Sequence, residues 1–362
     1  MAYTTINDPS AYFQTLLYSG NASTNALTNN ANAGNFKPDW LWLKCRNSAV
    51  SHAVFDTTRQ TGGYSTLVIR PNNTDAESNV SGDGMTSIDA NGFTLNGSGG
   101  GGSVNENNKT YVAWQWKANG GSTTTAAESG SNVGYTRQVN TTSGFAIIKY
   151  TGIGSAAAVI HGMGATPAFF TVKRLSGSGY SWYTYHHKNT ADPKTENLYL
   201  NNADGTTDMD VWNDQAPNST EIKLGTNAGV NADGVDYIMY AFAEKKGYSK
   251  FGSYVGNGNA DGPFVYTGFK PAWLMIKRSS DTGWWNINDD KRNSYNLEGQ
   301  LLASNKDDAE YGSNPVDMLS NGFKIRVANA NSDQNENNSD YVYMAFAENP
   351  LVASNDVIAL AR

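Results

Sequence analysis

FKPDWLWLKCR, residues 36–46, decides the fold, because the chain writes it again as FKPAWLMIKR at 269–278 and, more loosely, as TPAFFTVKR at 166–174. A proline that blocks helix entry precedes consecutive aromatic and aliphatic residues that end on a base, which reads as a strand buried on both faces. Three occurrences predict three similar units, and their far ends agree as well. The turn Asn105-Glu106-Asn107-Asn108 returns as Asn335-Glu336-Asn337-Asn338, with Asn231-Ala232-Asp233-Gly234 between them. Tyr111, Tyr237 and Tyr341 then open three closing strands in which Trp116, Phe242 and Phe346 hold the same inward place. Asn91-Gly92-Phe93 matches Asn321-Gly322-Phe323. Self-similarity at this long period implies duplicated sandwich domains, not the short units of a solenoid.

Composition points the same way. Charged residues make up 16 % of the 362, aromatics 12 %, and 37 glycines accompany many Asn, Ser and Thr. Short strands joined by tight polar turns have this make-up, so an all-β protein is expected. A net charge of −7, with the basic residues scattered, speaks against nucleic acid, whose phosphates need clustered Lys and Arg. The one cysteine, Cys45, sits inside the buried-strand motif and reads as a core residue. The opening MAYTTINDPSAYFQ has neither the basic nor the apolar region of a secretory signal, and no apolar run reaches membrane-spanning length. A soluble protein made in a cytoplasm, without membrane insertion, is the expectation.

In chain order, the reading gives an N-terminal arm (residues 1–11), a first β-sandwich (12–118), a Gly/Ser/Thr-rich linker (119–143), a second sandwich (144–246), a third (247–349) and a tail (350–362). The linker cannot bury enough apolar surface to form a core, so it reads as a flexible or meandering connection. The second and third units, joined only by 245–250, should be tightly coupled, with the first looser. In the closing strand YVAWQWK, residues 111–117, one face carries Val112, Trp114 and Trp116 and reads as the core face.

Enzyme machinery is nearly absent: there is no phosphate loop, no His-Glu-x-x-His, no nucleophile elbow and no Cys-x-x-Cys. No catalytic residue is assigned. His186-His187 are neighbours on a strand and point to opposite faces, a poor arrangement for one metal ion. Asp289-Asp290 are the carboxylates that a glycosidase reading would use. NNADGTTDMD, ending at Asp210, resembles an oxygen-rich calcium turn, and a structural calcium near Asp204, Asp208 and Asp210 is one reading of it. The remaining candidates are rings. Tyr180, Trp182, Tyr183 and Tyr185, with Trp284-Trp285, follow the organising strand, where consecutive aromatics must send at least one ring outward. Rings flanked by Asn, Asp and His suit sugar stacking, so Tyr180, Trp182, Tyr183, His186, Trp284 and Trp285 form the candidate glycan site; the competing reading is that they fill space between sheets.

Several long motifs carry a family resemblance: DPSAYFQTLLYSGN, FKPDWLWLKCR followed by SHAVFDTTR, YVAWQWKA, GYSKFGSYVGNGNADGPFVYTGFKP and AFAENPLVASNDVIALAR. The chain resembles structural proteins of marine bacteriophages, especially those of cyanobacteria. That resemblance implies concanavalin-type jelly-roll modules and a tail-fibre-like or other virion-surface role: a tail or head fibre, or a capsid decoration. It also implies partners among other virion proteins and host-surface glycans, homo-oligomers that are often trimers, and assembly in the host cytoplasm. A carbohydrate-active enzyme on a jelly-roll fold, and a purely architectural component, are the alternatives. Gln115 in the first closing strand and the weak second occurrence of the organising motif depart from the pattern.

Overall fold

The computed structural model describes residues 4–32, 34–59, 67–80, 84–97, 104–293, 295–328 and 333–352. The first residues of the strand expected at 65–69, most of the glycine run 97–103, the start of the arm and residues 353–362 of the tail lie outside the described residues.

The all-β expectation holds: several antiparallel sheets make up the protein, with only short helical turns such as Ala228–Asn231. The first repeat contributes β1 (Phe13–Ser19), β2 (Asn25–Thr28), β3 (Trp40–Cys45), β4 (Ala53–Asp56), β5 (Gly84–Asp89), β6 (Gly92–Asn96) and β7 (Thr110–Trp116). The second contributes β8 (Thr124–Ala126), β9 (Tyr135–Asn140), β10 (Phe145–Thr151), β11 (Ala157–Ile160), β12 (Phe169–Arg174), β13 (Trp182–His186), β14 (Glu196–Tyr199), β15 (Glu221–Leu224) and β16 (Asp236–Phe242). The third contributes β17 (Ser249–Val255), β18 (Phe264–Tyr266), β19 (Phe269–Arg278), β20 (Trp285–Asp289), β21 (Glu298–Ala303), β22 (Tyr311–Leu319), β23 (Gly322–Ile325) and β24 (Asp340–Pro350).

One strand order recurs in each repeat. The opening strand pairs with the closing strand, which pairs with the organising strand, which pairs with the strand after it: β1-β7-β3-β4, β10-β16-β12-β13 and β17-β24-β19-β20. Equivalent positions follow from the registers. Trp40 lies opposite Trp116, Phe169 opposite Phe242 and Trp273 opposite Phe346.

Both faces of these sheets are buried. In β7, Tyr111 and Ala113 pack with Leu41, Phe55 and Phe93 in a core belonging to the first repeat. Val112, Trp114 and Trp116 turn the other way, into a cluster shared with Tyr240 and Phe242 of β16 and with Trp273, Met344 and Phe346 of the third repeat. Trp116, Phe242 and Phe346 form a closed triangle, with centroid separations of 6.4, 5.5 and 5.5 Å. The sequence reading assigned one core face to this strand; the structure gives it two, because three sheets meet face to face. Gln115 is accommodated in the first repeat's interior by a reciprocal amide pair with Asn29, both bonds 2.8 Å.

The same strands close a directed ring of polar contacts. Tyr240 of the second repeat donates its hydroxyl to Asp56 of the first at 2.7 Å. Trp114 of the first donates to Asp289 of the third at 2.9 Å. His186 of the second, at the position of those aspartates, donates from Nε2 to the Tyr343 carbonyl of the third at 3.0 Å. A second ring starts four residues earlier: His52 donates to Ala303 O, Trp285 to Tyr199 O and Trp182 to Arg70 O, at 3.0, 2.9 and 2.9 Å. The first repeat is therefore packed as tightly as the other two.

The segment 119–143 differs from a bare connection. It carries β8 and β9, and β9 extends the second repeat's sheet by pairing with β10. A strand with few apolar residues persists there because an existing sheet edge supplies its backbone partners.

Truncating the central triangle should destabilise the whole protein at once. Trp116→Ala and Phe346→Ala are each expected to cost about 3–5 kcal/mol. Because one cluster joins all three repeats, calorimetry should show each variant melting in a single transition at lower temperature, not in separate steps.

Candidate functional site

The structure disperses the predicted ring site. Trp182, His186 and Trp285 are buried and form part of the contacts between repeats, with their N–H groups spent on carbonyls. These residues cannot stack on a surface ligand, because the twist of the sheets turns this strand against the neighbouring repeat. Tyr180, Tyr183 and Trp284 are half-buried. The Arg174 guanidinium lies 4.1 Å from the Tyr180 ring centre, and the Lys306 ammonium 3.4 Å from that of Trp284, so a cation already covers a face of each ring. Tyr183 packs edge-on against Tyr199 at 5.3 Å. Six residues grouped by sequence thus serve structural roles at separate places.

The carboxylates are likewise committed. Asp289 is buried, ion-paired with Arg292, and accepts from Trp114 and from the backbone N–H groups of Lys291 and Arg292. Among the described residues no three His, Cys, Asp or Glu side chains gather where a metal ion would sit. Asp204, Asp208 and Asp210 do not converge: Asp204 closes a local turn with Asn202, and Asp208 lies in a strand opposite Glu196. His186 and His187 point their Nε2 atoms at different carbonyls, Tyr343 O and Phe251 O.

A different surface emerges in the third repeat. β18 alternates Phe264 out, Val265 in and Tyr266 out, with relative exposures of 47, 8 and 53 %. It is the outermost strand of the sheet β22-β23-β18. Phe264 stands opposite Lys324, which stands opposite Asp317; Tyr266 stands opposite Gly322, which stands opposite Leu319. On the far side of β22, Asn296 bonds both backbone groups of Met318, at 3.1 and 2.9 Å. Tyr295 and Leu297, on either side of that asparagine, are 78 and 47 % exposed. Four of the five large exposed hydrophobic side chains among the described residues therefore flank one stretch of sheet.

This surface is about 14 Å wide, three strand spacings. Its margins are aromatic and aliphatic, and between and beside them run the ion pairs Lys324–Asp261 and Arg326–Asp317. Flat rings with fixed donors and acceptors suit a polyhydroxylated ligand: C–H faces stack on the rings while charged groups take hydroxyls. At the equivalent places in β2, matched through Gly92 and Phe93, the first repeat has Ala26 and Thr28. Sequence reasoning missed the site because Phe-Val-Tyr looks like an ordinary half-buried strand. The available signal was the comparison of that strand with Ala-Leu-Thr in the first repeat.

The chain belongs to a family described as a domain of unknown function (DUF7483), whose model matches residues 8–350 and so spans all three repeats. No curated protein and no solved structure gives a significant match.

Electrostatics elsewhere concentrate in three equivalent lysines at the ends of the organising strands. Lys44, Lys173 and Lys277 are buried and their ammonium groups meet backbone carbonyls: Lys44 reaches Cys45 O and Asp307 O, Lys173 reaches Tyr180 O, and Lys277 reaches Ala203 O and Gly283 O. Burial pushes Lys44 and Lys173 down to about 8 and Lys277 down to about 7. Burial also holds His52 well below its ordinary value and His186 down to about 3. Both imidazoles use Nδ1 as an acceptor, from Trp42 Nε1 and from the Lys188 amide, so a second proton would displace those bonds.

The pH dependence follows. Between about 7 or 8 and the ordinary lysine value near 10.4, the unfolded chain holds protons that the folded chain has released, so stability rises with pH at up to about 1.4 kcal/mol per pH unit per lysine. Below about 6.5 the unfolded histidines take up protons that the folded ones refuse, so stability falls with acid. Urea melts should show the midpoint climbing from about pH 5 to 9 and turning over above that, where the buried tyrosines, whose protons burial holds on, oppose the lysines, and Lys277→Met should flatten the part of the rise that starts near pH 7.

Proposed function

We propose that this protein is a bacteriophage virion-surface structural protein, a tail or head fibre or a capsid decoration, that recognises a host-surface glycan through the aromatic face of its third repeat. Its three repeats are read as concanavalin-like jelly-roll modules. The observation that carries the proposal is the pair Phe264 and Tyr266 on the outward face of β18, with Tyr295 and Leu297 exposed across the same stretch of sheet; in place of that pair the first repeat has Ala26 and Thr28. The resemblance of the long motifs to those of marine phage structural proteins supplies the context, and the closed aromatic core suits a body that must keep its shape outside a cell without disulfides. Neighbouring virion proteins are the natural partners of the remaining surface, and a homo-oligomer, as in similar proteins, would present several such faces at once.

Two measurements test this. Antibody labelling of purified particles should decorate the virion surface; particles without label on any surface would remove the virion assignment. The double variant Phe264→Ala, Tyr266→Ala should bind host envelope polysaccharide about tenfold more weakly, the loss expected for two stacking contacts, while melting as the parent does. Unchanged polysaccharide binding by that variant would remove the face as the recognition site.

A further inference from the structure

Because the repeats close in a ring, each opening strand meets the loop that follows the fourth core-sheet strand of another repeat, giving three equivalent seams. Two are closed within the chain. Where β10 meets Thr57 and Thr58, β9 lies along the edge of β10, and its Gln138, buried opposite Ile147, donates to Thr57 Oγ1 at 2.7 Å and Thr58 Oγ1 at 2.9 Å. Where β17 meets His187, the imidazole donates from Nε2 to the Phe251 carbonyl at 2.8 Å.

The third seam is open. β1 is the last strand of its sheet. Between it and Asp290–Lys291, the residues equivalent to Thr57–Thr58, runs a groove of about 220 Å³ lined by Phe13, Gln14, Thr15, Asp290, Lys291 and Glu348 among others. The bonds Lys117 N–H to Tyr12 O and Gly20 N–H to Lys109 O fix the alternation: even-numbered residues of β1 bond to β7, and the backbone groups of Phe13, Thr15 and Leu17 face outward. Thr15 occupies the position of Ile147, since Thr15 lies opposite Trp114 and Ile147 opposite Tyr240. Its hydroxyl is buried and has no hydrogen-bond partner.

We propose that this groove is a docking site for an extended strand of another polypeptide, added antiparallel to β1 as β9 is added to β10. The chain itself displays the bound form: β9 shows the register, and Gln138 shows the side chain that reaches across the seam. At the open seam the loop places the Asp290 carboxylate, bonded to Lys291 Nζ at 3.3 Å, where the filled seam offers threonine hydroxyls. Thr15 adds an acceptor. The fitting partner strand therefore carries an amide or basic side chain opposite Thr15, and small or polar residues elsewhere. This seam lies between β1 of the first repeat and the Asp290–Lys291 loop of the third, and shares no lining residue with the aromatic face around Phe264 and Tyr266.

The probe is a fluorescent peptide with the sequence of residues 133–142, VGYTRQVNTT, titrated into the full-length protein. Saturable binding is expected, with slowed amide exchange at Phe13, Thr15 and Leu17, and at least a tenfold loss when the peptide's glutamine is replaced by glutamate. Thr15→Pro removes one outward N–H without touching a bond to β7, and should abolish binding. Should that variant not fold, the exchange pattern of the parent protein decides alone. Three results would overturn the proposal: no binding; binding that leaves those three amides unprotected; or β1 amides already protected in the free protein and released by dilution or by truncation before Ala353, which would make a second copy or the chain's own tail the occupant.

Discussion

Everything in this protein depends on three rings, Trp116, Phe242 and Phe346, touching one another. Each holds the equivalent position in a closing strand, and each closing strand is the second member of a four-stranded order that recurs in every repeat. For the rings to meet, three sheets must turn one face to a common centre. That requirement explains why the organising strand is apolar on consecutive positions: Trp40 and Trp42 look to the centre while Leu41 and Leu43 look into the first repeat's own core. It also explains the absence of disulfides, since buried aromatic area here replaces the cross-links that smaller secreted domains need.

Apolar packing alone would let the three sheets slide. The two rings of polar contacts give the closure a direction and a register. Asp56, His186 and Asp289 hold the same place in their strands, and each contacts the closing strand of another repeat. His52, Trp182 and Trp285, each four residues earlier, bond backbone carbonyls of another repeat outside its closing strand: Ala303 O, Arg70 O and Tyr199 O. Buried donors and acceptors without these partners would be costly, so a shifted arrangement is disfavoured by more than lost contact area. The cost of the design shows in the three strand-end lysines, which are buried against carbonyls and give up part of their affinity for protons.

Much of the fold was legible in the sequence because its signals are local. A proline before an apolar run, Asn-rich turns and a closing strand that begins on tyrosine each mark one element, and their order marked three repeats. What was not legible is what the elements do to one another. A strand buried on both faces looks the same whether the second face meets its own repeat or two others, so closure was missed. Trp182 and Trp285 looked like surface rings because polar residues flank them, but those neighbours serve the contacts between repeats. Residues 119–143 looked like a linker because composition reports apolar content, whereas β9 is held by backbone bonds to β10 and by Gln138.

Equivalent positions that differ are where this architecture leaves room for function. The shared centre tolerates little change, since any ring there touches residues from more than one repeat. The outer strands and the seams are under no such restraint. β2 carries Ala26 and Thr28 where β18 carries Phe264 and Tyr266, with the glycine opposite unchanged. The seams diverge more: one holds a strand, one is bridged by His187, and one is a groove lined by carboxylates and lysine. A threefold repeat would, if unchanged, have closed all three seams alike or left all three open. That only one stays open, beside the only repeat whose opening strand ends a sheet without a histidine on its carbonyl, makes the groove at β1 a consequence of divergence and not of the fold.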